Sequence, residues 1–240
     1  MNEAQRRAHY LNALGIQVWT GRNMPVAAAR EIAAAAPPPV ASRPGVAVTG
    51  EVALLDWAAL QQRVANCTAC GLHSTRTQTV FGVGNINAQW MVIGEAPGAD
   101  EDRQGEPFVG RAGKLLNEML RALGLRREDV YIANVLKCRP PNNRDPLPAE
   151  VEQCEPYLKR QVELIQPKII LAVGRIAAQN LLQTDITIGK LRGQQFTYRG
   201  IPLVVTYHPA YLLRSPAEKR KAWDDLRFAR GVLSGTLAAN

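Results

Sequence analysis

Four short runs rich in Val and Ile recur along the chain: QWMVIGEA, VYIANVLK, KIILAVG and IPLVVTYHP. Each is bounded by Gly or Pro and has no polar face, which fits strands buried on both sides of a parallel sheet. Between them, AGKLLNEMLRALG and PAEVEQCEPYLKRQVELI place apolar residues at spacings of three and four, as helices lying on a sheet do. The alternation predicts a central parallel sheet with helices on both faces. In such a fold a ligand sits beyond the carboxyl ends of the strands, where the chain has GEAPG, NVLKCRPPNNR and HPAYLLR.

This patterned zone begins near Glu51, with a helix expected to about Asn66, and runs to the end of the chain at residue 240. Residues 1–24 precede it and contain a stretch with Tyr10, Leu11, Leu14 and Trp19 at amphipathic helical spacing. Residues 25–50 are rich in Ala, Pro and Gly with few large apolar side chains, the composition of a flexible linker. The 46% hydrophobic content supports one sizeable core. No apolar run approaches about 18 residues and the N-terminus lacks the apolar stretch of a signal peptide, so a cytoplasmic protein that does not enter a membrane is expected. Lys and Arg exceed Asp and Glu by 29 to 21, a net charge of +8 that suits a polyanion or simply a basic enzyme.

The loop GEAPGADEDRQGEPFVGRAG, residues 94–113, is glycine-rich and acidic. It lacks the G-x-x-x-x-G-K-[ST] of a phosphate loop and the G-x-G-x-x-G of a dinucleotide site, and its carboxylates would repel phosphate. Asp100, Glu101 and Asp102 lack EF-hand spacing and are expected to be solvent-side. Glu95 at the strand end and Phe108 between Pro107 and Val109 are left as side chains for the cleft, a carboxylate and a ring suited to a flat polar ligand such as a base. Asn134 ends the second run with one donor and one acceptor on a single amide, the pattern that reads the N3–H and O4 edge of uracil. His208 follows the last run, placed to donate to an oxygen gaining negative charge.

Four cysteines complete the inventory: Cys67 and Cys70 as C-x2-C, and Cys138 and Cys154 farther apart. Four thiols suit a structural zinc, an iron–sulfur cluster, or four unrelated buried residues in a reducing compartment. A zinc ribbon usually shows a second tight pair, which is missing here.

From about Val64 to Arg230 the chain resembles the family 4, iron–sulfur type uracil-DNA glycosylases. The resemblance rests on NCTACGL, VFGVGN, GEAPGADEDRQGEPFVGRAGKLLNEML, YIANVLKCRPPNNRDPLPAEVEQC and HPAYLLR. It implies a three-layer α/β/α fold with a central four-stranded, mainly parallel sheet, and a [4Fe-4S] cluster on Cys67, Cys70, Cys138 and Cys154. It implies uracil-containing DNA as substrate and hydrolysis of the glycosidic bond, with Glu95 and His208 catalytic. Phe108 would stack on the flipped base, Asn134 would select uracil, and the backbone at Ala96 and Gly98 would help bind it. Tyr211, Leu212 and Leu213 beside Arg214 form a candidate wedge for the minor groove. The family 1 enzymes place an Asp where this chain has Ala96, which leaves catalysis to Glu95 or to the substrate's own charge. No KRRIH-type insertion is present, so turnover without a stable DNA adduct is expected; a family 5-like range of deaminated bases is a further alternative.

The N-terminal RRAHYLNALGIQVWTGRNMP resembles the N-terminal peptide of the psi subunit of the bacterial DNA polymerase III clamp loader, through its Arg pair, Leu-Gly-Ile and following Trp. That implies docking through residues 5–25, the linker tethering the glycosylase-like domain to the replication machinery. The alternative function is a psi-type clamp-loader subunit whose glycosylase-like domain is a non-catalytic scaffold or DNA-binding module. The joint presence of Glu95, Phe108, Asn134 and His208 favours the enzyme.

Overall fold

A computed structural model describes residues 50–236. The expected docking peptide, and the linker as far as residue 49, lie outside the described residues. The expected helix from Glu51 is interrupted: Glu51–Leu54 is a 3-10 turn, Leu55 is extended, and helix α1 runs over Trp57–Ala65. Asp56 causes the break, because its carboxylate accepts the Ala59 N–H at 2.8 Å and an N-cap must leave helical geometry to do so.

The remaining elements are β1 (Val83–Gly84), β2 (Trp90–Gly94), α2 (Ala99–Gln104), α3 (Arg111–Ala122), β3 (Tyr131–Asn134), α4 (Pro148–Ile165), β4 (Ile169–Val173), α5 (Arg175–Leu182), α6 (Ile188–Leu191), β5 (Gln195–Tyr198), β6 (Ile201–Thr206), α7 (Pro209–Arg214) and α8 (Lys219–Ser234). The sheet order is β1-β3-β2-β4-β6-β5. The four apolar runs are its four parallel strands, β3-β2-β4-β6. Two short antiparallel strands extend the expected four to six, β1 against β3 and β5 against β6. Neither has an apolar run: β1 is two residues long, and β5 is a four-residue QFTY strand that leads into β6 through a turn in which Arg199 and Gly200 both adopt positive φ.

Side-chain alternation along the strands builds two cores. Met91, Ile93, Ala133, Ile170, Ala172, Leu203 and Val205 pack with α4 and α5 on one face. Trp90, Val92, Ile132, Ile169, Leu171 and Val204 pack with α3 and α8 on the other, which makes the three layers. A third cluster, including Leu60, Val64, Phe81, Leu136, Cys138, Cys154 and Tyr157, joins α1 to the loop after β3 and the start of α4. Because β3 and β4 flank β2, the loops leaving all three strands meet at one end of the sheet. No helix among the described residues is long and apolar enough to cross a membrane.

Candidate active site

At the floor of this crevice Gly94 pairs in register with Asn134. The pairing continues beyond the strand ends, where Val135 N–H donates to Gly94 O (2.9 Å) and Leu136 N–H to Glu95 O (3.0 Å). Asn134 is only 2% exposed, and its side-chain Oδ1 has no hydrogen-bond partner. Its main-chain carbonyl accepts from the buried Lys137 Nζ at 2.9 Å, and that ammonium also donates to Gln161 Oε1 at 2.6 Å. The Asn134 backbone is therefore held while its amide oxygen is left free. A buried acceptor in that condition costs free energy until a ligand donor pairs it. Lys137 and Gln161 carried no sequence signal, being ordinary polar residues within an apolar run and an amphipathic helix.

Gly94 brings Asn134 and Phe108 together. A Cβ on Gly94 would lie 2.4 Å from Asn134 Oδ1 and 2.6 Å from Phe108 Cζ. The Phe108 ring stacks on His208, with centroids 5.6 Å apart and planes 29° from parallel. His208 caps α7, its Nδ1 accepting the Ala210 N–H at 3.1 Å. That bond puts the proton of the neutral ring on Nε2. Burial, with Arg214 nearby, lowers the imidazole pKa to about 4, so the ring is a neutral donor at physiological pH. Gly174, which ends β4 at positive φ, admits His208: a Cβ there would lie 3.0 Å from the His208 Cβ.

Glu95 leaves β2 partly exposed. Burial, then the charge of Asp145, raises its carboxyl to about 7, while Arg175 opposes them. Asp145 and Arg175 pair at 2.8 Å, one from the segment after β3 and the other opening α5 after β4. The pair thus joins the two loops on either side of the strand that delivers Glu95. Ala96 packs against the cluster containing Cys138 and Cys154, so its methyl serves that layer.

Expectations for four residues of these segments are corrected. Asp102 is 4% exposed rather than solvent-side, and accepts the Thr77 N–H at 2.9 and 3.1 Å through its two oxygens. Glu101 accepts from Val109 N (3.0 Å), Gly110 N (3.2 Å) and Gly98 N (3.1 Å). Asp100 is the one of the three that stays about half-exposed, paired to Arg103. Gly98 consequently has its N–H committed to Glu101 and does not offer it to a base. Leu212, expected in the wedge, is 1% exposed within the core that contains α3 and α8, because Pro209 and Leu212 are one helical turn apart on the inner side of α7. Tyr211 is 36% exposed, Leu213 partly exposed and Arg214 exposed, so the outer side of α7 retains a ring, an aliphatic chain and a cation. Behind Tyr211 lies the Tyr207 ring, 5.0 Å away, with the Arg192 guanidinium 4.3 Å from its centroid.

All four cysteines are free and line one pocket together with Arg76, Lys137 and Tyr157. Donors point at three of the sulfurs: Arg76 Nη1 at Cys138, Lys137 N at Cys154 and Tyr157 OH at Cys67, each at 3.2 Å. Burial pushes the Cys154 thiol up to about 12 and raises Cys138 as well. Among the described residues no three His, Cys, Asp or Glu side chains close on a point that a single metal ion would occupy.

The sequence profile of the Uracil DNA glycosylase superfamily matches residues 81–227. The chain is 49% identical over 174 residues to the type-4 uracil-DNA glycosylase of Archaeoglobus fulgidus, a match spanning 69% of this chain and 87% of that one. It is 45% identical over 178 residues to the type-4 uracil-DNA glycosylase of Thermotoga maritima, spanning 72% and 93%. With the corresponding protein of Pyrobaculum aerophilum it shares 44% identity over 180 residues, spanning 72% and 92%.

Proposed function

This chain belongs to the uracil-DNA glycosylase superfamily, among its type-4 members, and we propose on that footing that it excises uracil from DNA by hydrolysing the N1–C1′ bond. The observation that carries the residue-level reading is the buried, unpartnered Asn134 Oδ1 beside the Phe108 ring. Uracil presents an N3–H donor next to the O4 acceptor, and the Asn134 amide answers with Oδ1 and Nδ2. Cytosine presents an acceptor at N3 and an amino group at C4, which would leave both amide atoms facing like groups.

The nucleotide must leave the stack to reach this site, and Phe108 offers its ring to the flipped base. As the N1–C1′ bond breaks, its electron pair departs with the uracil and positive charge develops on the sugar. His208 donates Nε2–H to O2 as that oxygen gains charge; a neutral imidazole does this without a proton having to be taken up first. Ionised Glu95 holds the attacking water beside C1′ and takes its proton, leaving the hydroxyl on the sugar and the uracil free. Tyr211, Leu213 and Arg214 face the duplex and support the gap left by the flipped base.

The four cysteines fit a [4Fe-4S] cluster. They line one pocket, and N–H and O–H donors aimed at sulfur suit thiolates that carry net negative charge. Such a group would tie the segment before β1 to the loop after β3 and to α4, and hydrolysis has no redox step for it to perform. The N-terminal peptide, residues 5–25, is proposed to dock on the clamp loader and carry the domain to replicating DNA in the cytoplasm.

The experiment is cleavage of a uracil-containing oligonucleotide after alkali treatment. The wild-type protein is expected to nick it and Asn134→Ala to fail; no nicking by cluster-loaded protein would turn the reading to a non-catalytic DNA-binding scaffold. Absorption near roughly 400 nm, lost in Cys154→Ser, is expected of the cluster, whereas a colourless protein containing stoichiometric zinc would refute it. Deletion of residues 1–30 is expected to abolish co-purification of the clamp loader, and undiminished recovery would refute the tether.

A further inference from the structure

Phe108 has an unusual backbone. Its φ is +55°, the left-handed region that a bulky residue seldom occupies, yet it is the ring set against Asn134 and His208. Two opposite charges hold the peptide units around it. Arg127, in the turn between α3 and β3, donates Nη1–H to the Phe108 carbonyl at 3.3 Å and Nη2–H to the Pro107 carbonyl. Glu101, on α2, accepts the N–H groups of Val109 and Gly110 through one carboxylate oxygen. The peptide between Phe108 and Val109 is thus gripped at its C=O by a cation and at its N–H by an anion. Gly113 makes room, since a Cβ there would lie 1.7 Å from the Phe108 carbonyl oxygen. Asn117 Oδ1, on α3, accepts from the same Nη1 at 3.2 Å and orients the guanidinium.

We propose that Arg127 is a positioning residue for base recognition, fixing the backbone that aims the Phe108 ring across the mouth of the Asn134 pocket. It does so remotely, since its hydrogen bonds go to main-chain carbonyls and to Asn117, none to a group proposed to touch substrate. A planar guanidinium is required: it reaches three acceptors in fixed directions, whereas the point charge of a lysine satisfies one or two. Without it the Pro107–Gly110 turn is free to relax to negative φ, swinging the ring away from Asn134.

The inference rests on the reading of Phe108 as the ring that stacks on uracil, and a double-mutant cycle separates the two. Single-turnover rates and KM on a uracil oligonucleotide would be measured for wild type, Phe108→Ala, Arg127→Gln, Arg127→Lys and Phe108→Ala/Arg127→Gln, with melting curves for each. Arg127→Gln is expected to lose about 10- to 100-fold in kcat/KM, as a misaimed binding group does, and Arg127→Lys to recover little of it. The double variant is expected to be no worse than Phe108→Ala alone, because Arg127 acts only through that ring. Multiplying losses in the double variant would show a general structural role and overturn the proposal. An inert Phe108→Ala would instead overturn the stacking reading, whatever Arg127 does. Should Arg127→Gln not fold, Asn117→Ala loosens the same guanidinium and enters the same cycle, with the same outcomes deciding.

Discussion

The rate of uracil release is expected to follow the ionisation of Glu95. Its carboxyl is raised to about 7, first by burial and then by Asp145, against the lowering effect of Arg175. With that value the carboxylate fraction is about one tenth at pH 6, half at pH 7 and nine tenths at pH 8. A step needing ionised Glu95 therefore speeds up about tenfold between pH 6 and 8 and then levels off. His208, lowered to about 4, stays neutral across this window and adds no limb of its own. Single-turnover release from a uracil oligonucleotide, followed at constant ionic strength, gives the profile directly. Asp145→Asn removes a charge that raises the Glu95 pKa and shifts the midpoint to lower pH; Arg175→Gln removes the opposing charge and shifts it to higher pH. Both substitutions break the same 2.8 Å ion pair, so a merely structural role would move the two profiles together. Stability supplies an independent sign. The folded pKa lies above the unfolded 4.5, so the native state keeps the proton between those values, and stability falls as pH rises from about 4.5 through 7. Glu95→Gln should accordingly raise the melting temperature relative to wild type at pH 8 and leave it unchanged at pH 4. A rate that is flat between pH 6 and 8, or parallel shifts for Asp145→Asn and Arg175→Gln, would refute this account.

Other substitutions distinguish recognition from scaffold. Gly94→Ala puts a methyl within 2.4–2.8 Å of Asn134 Oδ1 and two carbons of the Phe108 ring, and should cost on the order of 100-fold in kcat/KM while the protein still folds. Asp102→Ala removes the acceptor of the Thr77 N–H and is expected to lose about 2 kcal/mol, lowering the melting temperature by roughly 4–8 °C in calorimetry. Leu212→Ala should cost about 2–5 kcal/mol of stability as a core truncation. Leu213→Ala and Tyr211→Ala, by contrast, should leave the melting temperature within a degree or two and slow excision from duplex more than from single-stranded substrate.

The four parallel strands were legible in the sequence because a strand buried on both faces admits no polar residue for four or five positions, and that constraint is local. The same runs placed Glu95, Asn134 and His208 at strand ends, since a polar residue closing such a run emerges where the sheet stops. The short edge strands β1 and β5 left no comparable mark, being half-exposed and defined by the strands they pair with. The acidic loop departs from its sequence pattern for a related reason. Nothing in ADEDR tells that Asp102 meets the Thr77 backbone or that Glu101 meets Val109 and Gly110. Leu212 and Leu213 are adjacent and alike in chemistry, yet the position of α7 against the core buries one and leaves the other partly exposed. The charge environment of Glu95 follows from strand order: Asp145 and Arg175 are distant in the chain and meet because β3 and β4 lie on either side of β2. Apolar pattern and turn chemistry are properties of neighbouring residues and can be read along the chain. Hydrogen-bond partners, burial of individual side chains and shifted pKa values depend on which distant segments the packed sheet brings within a few ångströms.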